Sequence, residues 1–363
     1  MKTRIHFFLL SCIIGIGALL VVSCQKVDQT DTDVFIPVES SRLYVRLAGN
    51  ASGPIIINLH GGPGGFSGFA RETFKEFLED DYLIAYLDQR GSGKSDHAED
   101  STYLTMEQFV EDLDVVVDTL TNRYKDKAIN LIGSSWGGTL GLLYMITNQD
   151  KINSFSCVSG KADGMYPILA LIDKERELAK KYLNETQDSL TKASYNAILI
   201  KLKEIEQSGF KHFFDDMNII KHQYTKELGF NAYWANKEAQ QKAVELGKDT
   251  AYYKRAGYTM ESFDSAMQKF EFVNRVFRNT YAYNHLNILD DISVVHKPVL
   301  VLQGEFDYAI GVNQARMIYD ALKGVSDNNK ELVIIPDAAH NLNLEATEEY
   351  MNTIKPFLDK HNN

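Results

Sequence analysis

The sequence predicts an α/β fold: a mostly parallel sheet with helices on both faces, interrupted by an inserted helical cap. Three observations carry that prediction. Short apolar runs alternate with amphipathic helical periods from about residue 34 to residue 160. The rhythm stops at Lys161 and gives way to helical periodicity alone as far as Leu289. It resumes at Val299, so two stretches distant in sequence build one α/β unit, 34–160 and 290–363, around a cap at 161–289.

The chain has 363 residues, enough for one α/β domain with an insertion. Hydrophobic residues at 44% and charged residues at 24% are those of a globular protein. A net charge of −11 leaves no basic face for phosphates and excludes a nucleic-acid partner. At the N-terminus, Lys2 and Arg4 precede an apolar stretch from Phe7 to Val22, short for a membrane span and suited to a signal-peptide core. Its end, Val21-Val22-Ser23-Cys24, resembles a bacterial lipobox. The expectation is a lipoprotein leader at 1–23, a diacylated Cys24 and a polar tether at 24–33. The protein would then face the periplasm or exterior of a bacterial cell envelope, with the lipid as its only membrane contact. Cys157, in an apolar run, reads as an inert core residue. The nine histidines are scattered without paired spacings, so no metal or other cofactor is expected.

In order, Val34–Val38 and Leu43–Leu47 read as strands joined by a polar turn, and Pro54–Leu59 as a strand buried on both faces. The glycine-rich loop His60–Gly65 follows, then a helix through Thr73–Leu78 and a buried strand at Leu83–Leu87. That strand ends in Asp88-Gln89-Arg90-Gly91-Ser92-Gly93-Lys94-Ser95. Its Gly-Lys-Ser tail is no phosphate loop, because Asp88 stands where the first glycine would have to be. Thr105–Gln108 has the form of a capping box, opening a helix with Phe109, Leu113, Val116, Val117 and Leu120 on one face. Ala128–Ile132 is the next strand, and Ile152–Val158 another. Within the cap, Ile172–Leu183, Ser194–Gln207 and Met260–Arg278 are clear helices, and aromatic residues from Phe210 to Tyr258 supply core and pocket lining. After Val299–Gln303 come a helix near Asn313–Leu322, a strand at Leu332–Ile335 and a final helix. Leu344, Met351, Ile354, Phe357 and Leu358 lie on the inner side of that helix.

The chemistry gathers at Gly133-Ser134-Ser135-Trp136-Gly137-Gly138, where strand passes to helix through Gly-x-Ser-x-Gly. A Cβ on Gly133 or Gly137 would crowd the strand or the helix, and the turn pushes the Ser135 hydroxyl out over the sheet edge. A serine nucleophile needs a histidine to take its proton and a carboxylate to hold that histidine. His340, after the last strand, is the candidate base. Asp307, just past a late strand, is the candidate acid, with Glu305 and Asp337 as competitors that fit the reach less well. The oxyanion needs two fixed donors: the Trp136 N–H directly after the nucleophile and one from the His60–Gly65 loop, best Gly62. His60 reads as a support of that loop.

These three motifs, His60–Gly65, Asp88–Ser95 and Gly133–Gly138, resemble the proline iminopeptidase family of α/β-hydrolases, serine peptidases that release N-terminal residues from short peptides. The resemblance covers about 35–160 and 290–360. It implies an eight-stranded fold with a cap after the sixth strand, a structural role for Asp88-Gln89-Arg90, and cap carboxylates that bind the substrate's free amine. The family's tryptophan- and glutamate-rich cap motif is missing: Trp234, the cap's only tryptophan, is followed by Ala-Asn. Glu175, Glu177 and Glu204 are left as unselected candidates. The leading expectation is a serine aminopeptidase acting on short peptides or other small acyl substrates. An esterase, lactonase or amide hydrolase with the same triad is the alternative, and a non-catalytic binding protein on this fold is the remote one.

Overall fold

The computed structural model describes residues 28–362. The expected leader and Cys24 lie outside the described residues. Of the expected tether, Gln29–Asp33 are instead the first half of a strand, β1 (Gln29–Val38), paired antiparallel with β2 (Ser41–Asn50) along its whole length. Their polar composition disguised an edge strand, whose outer face needs no apolar side chains. Asp31 there pairs with Arg46 at 2.7 Å and Arg71 at 3.0 Å.

The remaining strands are β3 (Ile55–Leu59), β4 (Leu83–Asp88), β5 (Ile129–Ser134), β6 (Ser154–Val158), β7 (Val299–Gly304) and β8 (Lys330–Ile335). They form one eight-stranded sheet in the order β1-β2-β4-β3-β5-β6-β7-β8. From β4 onward every pairing is parallel. Helices α1 (Ala70–Leu78), α2 (Met106–Arg123) and α3 (Trp136–Asn148) connect the first strands. Between β6 and β7 lie the cap helices. These are α4 (Tyr166–Glu185), α5 (Ser189–Gln207), α6 (Phe213–Asn218), α7 (Thr225–Glu227), α8 (Lys237–Leu246), α9 (Thr250–Arg255), α10 (Met260–Arg278) and α11 (Tyr281–Asn284). The chain closes with α12 (Gln314–Ala321), α13 (Leu342–Glu345) and α14 (Thr347–Asn362). The cap therefore follows the sixth strand.

The central strands are buried on both faces, which hides their period of two in the sequence; packing restores it. Ile55, Ile57, Leu59, Leu83, Ala85 and Leu87 share one core with residues of α2, α3 and α12. Ile56, Ile84, Tyr86, Ile132, Leu300 and Leu302 share the other with α1 and α14. Two local expectations change. Thr105 caps α2 by accepting the Gln108 N–H at 3.2 Å, but the Gln108 side chain turns to Asp112 and leaves the box half made. Helical phase also breaks at Ala346, between α13 and α14, so Leu342 takes the buried position and Leu344 is only half-buried. Among the described residues no helix is long and apolar enough to cross a membrane.

The loop after β4 is tied down from below by a buried ion pair: Arg90 reaches Asp112 of α2 through two hydrogen bonds of 2.9 and 2.7 Å. Removing one partner of such a pair strands the other charge away from water. Arg90→Met is expected to lower unfolding stability by about 3–5 kcal/mol, read by urea denaturation.

Candidate active site

β5 ends at Ser134 and α3 begins at Trp136, so Ser135 alone makes the turn, with φ 56° and ψ −119°. That backbone is strained for a residue carrying a Cβ. It is held by the Ser135 N–H donating to Val158 O at 2.8 Å and the Thr139 N–H donating to Ser135 O at 3.1 Å. The tightness of the turn explains the flanking glycines. A Cβ on Gly133 would lie 2.2 Å from the Gly137 oxygen, and one on Gly137 would lie 2.0 Å from the Leu59 oxygen.

The two loops from beyond the cap meet this serine. His340 Nε2 is 3.0 Å from Ser135 Oγ, and His340 Nδ1 is 2.9 Å from one Asp307 oxygen and 3.1 Å from the other. Asp307 is fully buried. Its carboxylate draws the imidazole proton to Nδ1 and leaves Nε2 to accept from the serine hydroxyl. Glu305 and Asp337 are exposed and bond to each other, the Asp337 N–H donating to the Glu305 carboxylate at 3.3 Å. Burial alone would push the His340 pKa down. The charge and hydrogen bond of Asp307, helped by Glu345, outweigh it and hold the pKa above the ordinary histidine value.

The His60–Gly65 loop lies directly on the serine: a Cβ on Gly61 would stand 3.0 Å from the Ser135 Cβ. Gly62 has φ +127°, which favours glycine, and it lines the cavity above Ser135. The Trp136 N–H is at the first position of α3, where the helix offers it no acceptor. His60 is spent on support. Its Nδ1 donates to Gly61 O at 2.8 Å and its Nε2 accepts the Gln89 N–H at 3.0 Å, while burial lowers its pKa. Gln89, which sequence reasoning took only as part of a supporting run, joins three motifs. Its amide donates to His60 O and accepts from Trp136 Nε1, both at 2.9 Å.

Residues 54–347 match the alpha/beta hydrolase fold family. The chain belongs to it. A proline iminopeptidase of Saccharolobus solfataricus is 21% identical over 306 residues, 84% of each chain. One of Thermoplasma volcanium is 22% identical over 331 residues, 91% of this chain and 97% of its own. The crystal structure of a proline iminopeptidase-related protein from Thermus thermophilus superposes with a TM-score of 0.61 at 20% identity. That likeness covers 92% of this hydrolase and 99% of the other chain.

Above the serine of this hydrolase is a cavity of about 480 Å³. Its walls include Phe66, Phe69, Tyr233, Phe270, Asn274 and Arg278, and its floor includes Asn58, whose buried Oδ1 has no hydrogen-bond partner. No carboxylate is among the described lining residues. Glu175 is sealed in the cap's own apolar core, where burial raises its pKa to about 9 and keeps it neutral at pH 7. Glu177 and Glu204 are exposed on helix surfaces beside Lys174 and Lys201. None of the three serves the cavity. Of the cap aromatics, Tyr233 and Phe270 line it, whereas Trp234 opens on a separate groove.

Sequence reasoning missed Glu345. One of its oxygens accepts the N–H groups of Ala235 at 2.7 Å and Asn236 at 3.0 Å; the other accepts those of Ala339 at 3.0 Å and Asn341 at 3.3 Å. It thereby brackets His340 on both sides and fastens it to the cap. The Tyr233 carbonyl adds to this by accepting the His340 N–H at 3.3 Å. No local spacing marks Glu345, because two of its four donors come from the distant cap.

The raised pKa of His340 sets the sign of the pH dependence. Protonated His340 cannot take the serine proton, so kcat/KM is expected to rise with pH with a midpoint above about 6.5. Asp307→Asn is expected to cost on the order of 10^4-fold in kcat. Glu345→Gln removes a negative charge beside His340 and is expected to move that midpoint downward. A pH–rate profile checks both the midpoint and its displacement.

Proposed function

We propose that this protein is a serine hydrolase that cleaves an ester or amide bond of a small substrate through an acyl-enzyme on Ser135. The observation that carries the reading is the unbroken hydrogen-bonded chain from Ser135 Oγ through His340 to buried Asp307, opening on a cavity of small-molecule size. In this reaction Ser135 Oγ attacks the carbonyl carbon while its proton passes to His340 Nε2. The N–H groups of Gly62 and Trp136 receive the negative charge that develops on the carbonyl oxygen; one such donor is worth roughly 3 kcal/mol in the transition state. Collapse breaks the bond to the leaving group, which departs with the proton held by His340. Water then attacks the acyl-enzyme, gives its proton to His340, and releases the acid as Ser135 takes the proton back.

Release of N-terminal residues from short peptides is the second reading. It is favoured by the motifs shared with the proline iminopeptidases and by the names of the Saccharolobus and Thermoplasma relatives. Against it, an α-ammonium bound over Ser135 would find no carboxylate among the described lining residues. The geometry therefore favours an acyl hydrolase without an amine anchor. We also propose, from Ser23-Cys24 and the apolar stretch before it, that the mature chain is held at the cell envelope by lipid on Cys24.

Purified enzyme is expected to turn over p-nitrophenyl esters faster than proline-, alanine- and leucine-naphthylamides; the reverse order would restore the aminopeptidase reading. Ser135→Ala is expected to lose kcat by on the order of 10^6-fold with an unchanged circular dichroism spectrum. For the anchor, Cys24→Ala should move the protein from the membrane to the soluble fraction, and unchanged partitioning would count against lipidation.

A further inference from the structure

One face of α10 roofs the cavity. Phe270, Asn274 and Arg278, four residues apart, stand in a row along it. The helix is fixed to the catalytic loops at several points. Asn274 Nδ2 donates to Pro63 O at 3.3 Å, and Lys269 Nζ donates to Gly93 O at 2.9 Å and Ser95 O at 2.7 Å. Val273 packs so closely on the loop that a Cβ on Gly64 would lie 2.9 Å from its own. Arg278 follows Asn274 by one turn, so its backbone is set relative to Ser135 even though its side chain is exposed.

Among the described residues lining the cavity, Arg278 is the only permanently charged one. Its guanidinium has no hydrogen bond or ion pair among the described residues. Lys221 feels its charge, and Lys161 feels that of Lys221 in turn. Lys221 is half-buried, and burial with the charge of Arg278 pushes its pKa down to about 8. Lys161, the residue that opens the cap, is brought to about 7 by burial and by Lys221. Its Nζ lies 3.6 Å from the centre of the Tyr283 ring and donates to Tyr283 O at 3.3 Å. In a chain of net charge −11, Arg278 at the cavity wall, with Lys221 close enough to feel its charge, makes a local positive field that attracts anions.

We propose that Arg278 anchors a carboxylate carried by the substrate whose acyl carbon Ser135 attacks. The proposal rests on the acyl-hydrolase reading and adds the charge of the substrate to it. A guanidinium presents a planar fork of N–H donors that matches a carboxylate, and its charge cannot be titrated away. A substrate bearing an ammonium would meet Arg278 with nothing to balance either charge.

The test compares p-nitrophenyl hydrogen glutarate with p-nitrophenyl pentanoate, which lacks the terminal carboxylate, and p-nitrophenyl 5-aminopentanoate, which replaces it with an ammonium. The wild-type enzyme is expected to favour the glutarate ester in kcat/KM and to be slowest on the amino ester. In Arg278→Met the ratio of glutarate to pentanoate ester is expected to fall at least tenfold, and Arg278→Lys should recover part of it. A ratio that does not change in Arg278→Met overturns the anchor. Binding to Ser135→Ala separates this from the reaction itself. Monomethyl glutarate should bind more tightly than dimethyl glutarate, and Arg278→Met in that background should abolish the preference. If neither an ester nor an amide is turned over, the acyl-hydrolase reading falls, and the carboxylate site then stands or falls on this titration. Equal binding of the two glutarates overturns it.

Discussion

The contact that the rest of the structure depends on is the approach of α3 to the ends of β3 and β5. At Gly133 and Gly137 the helix lies so close to the strands that no side chain fits, and the backbone between them must turn through a left-handed residue. A serine there is strained, and the strain has a use. It lifts Oγ off the sheet and leaves the first N–H of α3 free beside it. Every other group of the candidate site is placed with respect to that point. His60–Gly65 lies on the serine from one side, and Asp307 and His340 come to it from strands at the other end of the sheet. The serine's own N–H bonds to Val158 at the end of β6, which is also where the cap departs.

The cap is fastened to this machinery by polar contacts at the loops. Lys269 reaches the loop after β4, and Tyr258 Oη donates to a carboxylate oxygen of Asp88, the last residue of β4, at 3.3 Å. Asn274 reaches the His60–Gly65 loop, and Glu345 gathers N–H groups from the cap and from both neighbours of His340. The last arrangement couples roof and base. One carboxylate thus holds Ala235 and Asn236 of the cap together with Ala339 and Asn341 on either side of His340. Charge adds to geometry here, because Glu345 raises the His340 pKa as Asp307 does.

The sheet, its connections and the Ser135, Asp307 and His340 positions were legible in the sequence because each is signalled locally. Buried strands are apolar runs, and each of these three residues sits in a short loop directly after one. What escaped was signalled only across the fold. β1 was masked because an edge strand can stay polar. Glu345 was indistinguishable from the other acids near it until four N–H groups were seen to converge on it. Gln89 lay inside a motif read as support, yet that its single amide spans the His60–Gly65 loop and Trp136 is a fact of three loops meeting. The cap gave helices but not which of them would face the cavity, because that depends on how the helices pack against loops distant in sequence.

The cap's carboxylates show why residue type alone could not decide the substrate. Glu175 has the chemistry an amine would need, but it is buried with both oxygens unpartnered and is held neutral, so it projects no negative charge. Two unit charges 4 Å apart interact by about 4 kcal/mol at an effective dielectric of 20, and removing one of them removes that attraction entirely. The charge that does face the cavity is positive and sits on α10, whose row of Phe270, Asn274 and Arg278 is clamped to the His60–Gly65 loop. A cation without a counter-ion is tolerable at an exposed rim, but it becomes costly once a bound molecule excludes the water around it. A ligand that closes this cavity must therefore supply the missing negative charge or be opposed by Arg278.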